Sequence, residues 1–325
     1  MLSRVSFLSS TGRCFLLDQN QSTKGELHLC RTQAEFLHQI DKQGPFAPEP
    51  GRYHLYASSS CPWANQCLIV HKLKGLDDII SVSIASPRLT KEGWAFASVD
   101  AFPGTDPDPL YNSRYIKDLY HRSHPKFQGR CTVPLLWDKR TQSVVNNDAD
   151  DIMKIFNFAF NDFLPPHYAS ANLYPTHLRH EIRRIADWVN ESITKAIFKA
   201  GFAVSSTVYC SAVIPLFEAL DQLEGMLAGK DYLVGNQLTQ SDIILYVNMI
   251  RFDPIYYHHF KCNMRMIRTG YPNIHTWLRK LYWRIPAFQL TTDFNHIKSG
   301  FYLSYDPINN SGIVPMGPVP HIEPL

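Results

Sequence analysis

No two of the seven cysteines in this 325-residue chain stand at CxxC spacing, and none falls in a Cys/His pattern that would hold zinc. They lie scattered at 14, 30, 61, 67, 131, 210 and 262. That excludes a dithiol redox centre, a disulfide framework and a structural zinc site as sequence readings, and it fits a reducing compartment. An excess of charge of one sign is also lacking: the net charge is +3, no footprint for nucleic acid. No apolar run approaches the length of a membrane span. The first seventeen residues, Met1 to Leu17, contain Arg4 and Arg13, several serines and no acid. That composition reads either as a mitochondrial presequence or as an ordinary tail, with a cytoplasmic or mitochondrial location following accordingly.

What the chain does have is 45% hydrophobic and 13% aromatic residues, enough for real cores in two domains. The most informative segment is Tyr56–Ala64, sequence YASSSCPWA. A β-type run, Tyr53 to Tyr56, feeds a serine cluster, then Cys61, Pro62 and an apolar helical stretch to about Leu73. Proline is favoured at the first helical position. Cys61 is therefore expected at a helix N-terminus, where unpaired N–H groups and the helix dipole favour a thiolate. Ala64 occupies the place of a second Cys, so the second thiol must come from outside, and glutathione is the obvious donor. The competing reading is a small buried hydrophobe, which is the one that suits Cys67.

A Pro-rich segment, 44–50, precedes the first strand. A second strand is expected at 79–84, a loop at 97–113 and a helix from Tyr115. A third strand spans Thr132 to Trp137, with Pro134 a candidate cis residue in a tight turn. Its hairpin partner is Ser143 to Val145, and Asn146 to Asp148 offer capping chemistry to a helix through Ile152–Phe156. The order β-α-β-α-β-β-α is that of a thioredoxin-like domain over about 45–157. Residues 1–44 read as an N-terminal extension, 175–290 as an all-helical domain and 291–325 as a C-terminal extension, irregular from Asp293. Within the helical part, Thr239 to Asp242 form a capping box. Arg251 and Lys261 read as structural ion-pair partners. His258, His259 and His296 have no carboxylate or Cys at ligand spacing, so no metal is expected.

These segments resemble the glutathionyl-hydroquinone reductases, the Xi class of glutathione transferases. The resemblance is carried by Gly51–Tyr56 (GRYHLY), Cys61–Ala64 (CPWA), Gly93–Trp94, Thr132–Asp138 (TVPLLWD) and Val145–Asn147. It continues through Lys199–Ala203 (KAGFA), Ile250–Asp253 (IRFD), His259–Asn263 (HFKCN), Gly312–Pro315 (GIVP) and Gly317–Pro318, covering roughly 22–318. It implies an α/β thioredoxin-like domain followed by an all-α transferase domain, a homodimer, and glutathione as co-substrate without metal. The small-molecule partner is a glutathionyl conjugate. Cys61 would attack its sulfur and form a mixed disulfide that a second glutathione resolves.

By the same resemblance Trp94 packs on the glutathione peptide and Val133, before Pro134, pairs with it backbone to backbone. Arg130 and Thr132 flank that contact, and Asp148 with Ala149 meet the γ-glutamyl end at a helix N-terminus. Trp94 also reads as an ordinary half-buried aromatic, and Tyr256–Tyr257 as interdomain packing. The sequence departs from the family pattern, with Ala149 in place of Ser and Phe198 and Phe301 in place of Tyr, while Tyr256 keeps its phenol. Asn65–Gln66 replace His-Arg. Since Phe neither donates a proton nor bonds a thiolate, the departures predict weaker action on hydroquinone conjugates than on disulfides. The alternative is a weakened protein that binds glutathione or an aromatic ligand.

Overall fold

The computed structural model describes residues 35–305 and 308–325. The presequence-like stretch 1–17, with Cys14 and Cys30, lies outside them. The strands are β1 (Tyr53–Ala57), β2 (Ile80–Ile84), β3 (Leu89–Thr90), β4 (Gly93–Trp94), β5 (Leu135–Asp138) and β6 (Ser143–Asn146). A four-stranded sheet runs β2-β1-β5-β6, with β1–β2 parallel and the other two pairings antiparallel. Interleaved with it are helices α1 (Pro62–Leu73), α2 (Ile116–Ser123) and α3 (Ala149–Phe158). The small β3–β4 hairpin is an addition to the expected order, its strands too short to leave a periodic signal. Ahead of β1, Leu37 bridges to Asn146 and His38 N donates to Val145 O, extending the outer edge of the sheet.

Every residue of β1 is buried, as a strand covered on both faces requires. Its one ring that titrates near neutrality in water, His54, bonds Ser81 Oγ (2.7 Å) and Ser83 Oγ (3.0 Å) on β2. Burial lowers its pKa to about 4, so the ring is neutral. The Val133–Pro134 peptide is cis, as the sequence suggested.

The second half is helical. Short α4 (Pro166–Ala169) is followed by α5 (Arg179–Val189), a π turn at Asn190–Thr194, α6 (Lys195–Gly201) and α7 (Ser206–Met226). Then come α8 (Gln240–Arg251), a π turn at Phe252–Tyr256, α9 (Ile267–Gly270), α10 (Pro272–Arg284), α11 (Pro286–Leu290) and α12 (Phe294–Ser304). Among the described residues no helix is long and apolar enough to cross a membrane.

The buried helix α8 starts at the expected capping box, in which Asp242 accepts from Thr239 N (3.0 Å) and the Thr239 hydroxyl. Leu233 N and Trp277 Nε1 also donate to that carboxylate, yet burial still raises its pKa to about 6. Polar contacts join the two halves: Asn65 Nδ2 on α1 donates to Thr291 O at 2.8 Å, and Gln240 on α8 bonds Asp150 on α3.

The tail expected to be irregular from Asp293 is instead helical as far as Ser304. Asp293 caps α12 by accepting from His296 N at 3.0 Å. The helix is held by tertiary contacts rather than propensity. His296 bonds Pro103 O, Ser304 Oγ accepts from Leu89 N, and Lys298 donates to Met316 O and Gly317 O. Gly300 sits where α12 presses on the turn before α1. A Cβ there would lie 2.8 Å from Pro87 O and closer still to Ser60, so only glycine permits the approach.

Candidate active site

Three serines make the turn that presents Cys61. Ser58 and Ser60 hydroxyls bond each other (3.0 Å) and reach Ser86 O and Pro87 O, while Cys61 N donates to Ser58 O at 3.1 Å. Cys61 is the N-cap of α1, with an extended backbone (φ −74°, ψ 119°), and Pro62 is the first helical residue. The first turn contains no acid to compete for the helix dipole. The thiol is 95% buried and donates to Val133 O at 3.6 Å, which places it over the cis-proline loop. Ala64 is fully buried one turn on. Cys67 is a core residue, its thiol pushed well up by complete burial.

The cis-proline loop is fixed by Tyr120, whose hydroxyl donates to Thr132 O (3.0 Å) and accepts from Asn147 Nδ2 (3.1 Å). Thr132 and Val133 are buried and Arg130 is half-buried at the start of the same loop. Asp148 caps α3 and accepts from Asp151 N at 3.1 Å, with Ala149 buried beside it. Burial and the neighbouring Asp150 and Asp151 raise the Asp148 pKa to about 7, against the hydrogen bonds from the helix N–H groups. Among the described residues these three aspartates are close enough to share a cation, but Lys154 and Gln240 already occupy Asp150.

A narrow pocket opens onto the thiol between Trp63, Trp94, Phe198, Phe301 and Tyr305. Phe198 stands at its back, 5.6 Å from the Trp63 ring, 6.2 Å from Tyr256 and 6.4 Å from Phe301 between centroids. Tyr256 lies 5.7 Å from Phe301 and stacks on Phe260 at 5.6 Å. The three expected substrate-side residues, Phe198, Tyr256 and Phe301, thus converge from α6, the second π turn and α12. Two buried polar atoms here have no hydrogen-bond partner, Trp94 Nε1 and Tyr256 Oη. Burial drives the Tyr256 pKa up and Arg251 pulls it down, and the net rise keeps the phenol protonated. A second cleft is lined by Trp63 and Ala149 and by polar groups including Gln66, Asp150, Lys154 and Gln240.

Sequence reasoning missed Tyr305, which lines the pocket just past the end of α12 in the stretch expected to be irregular, and misread Arg251. Neither Arg251 nor Lys261 forms an ion pair among the described residues. Arg251 is completely buried and donates to Ser59 O, Asn65 Oδ1 and Val247 O, neutral acceptors that supply geometry without needing a carboxylate. Lys261 takes a positive φ of 60° and uses its carbonyl to accept from Tyr209.

A thioredoxin-like sheet with an N-capping thiol over a cis-proline loop, closed by a helical second domain, defines the glutathione transferase class of architecture. Residues 60–157 match the family model described as Glutathione S-transferase, N-terminal domain, and 182–280 match Glutathione S-transferase, C-terminal domain. The glutathione transferase Xi of Phanerochaete chrysosporium is 53% identical, superposes with a TM-score of 0.89, and is matched over 91% of this chain and 99% of that one. The Xi transferase ECM4 of Saccharomyces cerevisiae, solved in complex with glutathione, is 39% identical with a TM-score of 0.87, over 90% and 100% of the two chains. Glutathionyl-hydroquinone reductase YqjG of Escherichia coli is 40% identical over 85% of this chain and 82% of its own. The chain belongs to the Xi-class glutathione transferases, the family that includes the glutathionyl-hydroquinone reductases. It is an enzyme of that family, and the fold expected from the sequence is the fold observed.

Proposed function

We propose that this enzyme removes glutathione from S-glutathionyl hydroquinones and glutathione mixed disulfides, with Cys61 as nucleophile and Tyr256 as proton donor. The observation that carries the reading is the placement of Cys61: a monothiol at the N-cap of α1, facing an aromatic pocket whose Phe198 and Phe301 rings pack on the buried, unpartnered phenol of Tyr256. In the first step the Cys61 thiolate attacks the glutathionyl sulfur. The sulfur–carbon bond breaks, its electron pair stays on the ring carbon, and that carbon takes the Tyr256 proton. The products are the free hydroquinone and a Cys61–glutathione disulfide. A second glutathione thiolate then attacks the glutathione sulfur of that disulfide, releasing glutathione disulfide and restoring the Cys61 thiolate. Protonation of the Tyr256 phenolate from solvent closes the cycle.

Incubation with glutathione disulfide followed by mass spectrometry tests this. One glutathione is expected on Cys61, removable by excess glutathione, and modification elsewhere with none on Cys61 would end the proposal. A second reading, a glutathione- or aromatic-ligand-binding protein with weakened catalysis, is favoured by Phe198 and Phe301, which line the cavity without hydroxyls. Binding of glutathione without any exchange at Cys61 would select it.

Asp148 is assigned the γ-glutamyl ammonium, with the α3 N–H groups beside Ala149 receiving the carboxylate. Because its pKa stands near 7, a proton competes with the ligand below that pH. Glutathione affinity measured by calorimetry is therefore expected to fall as the pH drops through about 7. Asp148→Asn should flatten that profile and weaken binding by about 1.5–3 kcal/mol, the worth of a charge-assisted hydrogen bond.

A further inference from the structure

Arg251 ends α8 completely buried, with no carboxylate in ion-pairing range among the described residues. Its Nη1 donates to Asn65 Oδ1 (3.1 Å) and Val247 O (2.9 Å), and its Nη2 to Ser59 O (2.9 Å). The buried Nε–H has no acceptor. Two of these contacts bracket the thiol. Ser59 lies in the turn before Cys61, and Asn65 N donates to Cys61 O at 3.0 Å. A cation kept out of water without an anion is costly, and the arrangement makes sense if an anion forms beside it during turnover.

Among the described residues, the titratable groups that act on the thiol include Arg251 from α8, Tyr256 from the π turn that continues it, and Cys67 from α1, with Asp148 at the head of α3 acting on Cys67. Burial holds Tyr256 and Cys67 in their protonated, neutral forms. Tyr256 and then Cys61 each favour the charged guanidinium, against the larger opposing effect of burial.

We propose that Arg251 is the counter-cation of the Cys61 thiolate and the positioning residue that ties the Cys61 turn to Tyr256, a role that rests on Cys61 being the nucleophile. One guanidinium then holds the Cys61 turn by hydrogen bonds and acts on the Tyr256 phenol through its charge. When Cys61 is joined to glutathione the anion facing Arg251 is gone, and the resolving step restores it. Arg251 thereby favours Cys61 as the leaving group in that step.

Alkylation of Cys61 by iodoacetamide, followed by mass spectrometry across a pH series on the full chain without glutathione, reads the thiol's titration directly. The wild-type midpoint is expected at least about one unit below the ordinary thiol value of roughly 8.5. A wild-type midpoint at or above that value overturns the proposal without any variant. Arg251→Met should raise the midpoint by about one unit or more, and Arg251→Lys, which keeps the charge, should recover most of the shift. A folded Arg251→Met with the wild-type midpoint leaves Arg251 a structural clamp and also overturns it. The readout needs no substrate, so the two readings fail separately. A midpoint that depends on Arg251, with no turnover of any glutathione conjugate, supports this role and sinks only the proposed reaction.

Discussion

Cys61→Ser is expected to lower turnover of a glutathionyl hydroquinone by about 10⁴-fold or more, the scale on which removal of a nucleophile acts. The substitution is nearly isosteric, and serine is a preferred N-cap, so α1 should start where it does now. Melting temperature should hold or rise slightly. What changes is chemistry: a hydroxyl is not ionised near neutrality and attacks sulfur poorly, and it leaves no disulfide for a second glutathione to resolve. Single-turnover rates of the wild type and the variant, each saturated with substrate, check this. Equal rates would remove Cys61 from the reaction whatever its position.

Much of that position was legible in the sequence because local rules fix it. Pro62 before an apolar helical stretch is favoured at the first helical position, and a helix start exposes N–H groups to whatever residue precedes it. The capping box at Thr239–Asp242 and the cis-proline loop at Pro134 are equally local. The illegible parts depend on what lies across the molecule. In α12, Asn295, Ser299 and Gly300 are poor helix formers, and the helix exists because Asp293 caps it and Lys298, Ser304 and Gly300 meet partners distant in sequence.

Arg251 was misread for a related reason. Charge alone suggests a carboxylate partner, whereas the fold satisfies the guanidinium with two carbonyls and an amide. That same amide belongs to Asn65, which in sequence is only a departure from the family. In the structure it is fully buried, bridging Arg251 on one side and Thr291 O on the other. The departure therefore has a partner set of its own.

Tyr256→Phe should separate the two substrate types. With a glutathionyl hydroquinone the leaving atom is a ring carbon, which must gain a proton as the sulfur–carbon bond breaks. General acid assistance of that kind contributes about 10²–10⁴-fold, and kcat is expected to fall by that factor. With a glutathione mixed disulfide the leaving group is a thiolate, stable near neutrality, and the rate should change little. Neither Phe198 nor Phe301, packed on the same ring, carries a hydroxyl to take over. Stability should not suffer, because the phenol oxygen is buried without a partner and its removal deletes an unsatisfied polar atom. Rates on both substrates, measured with one preparation, decide the matter. Equal losses would place the effect on Cys61 itself rather than on proton delivery, since only an effect on the shared nucleophile acts on both bonds alike.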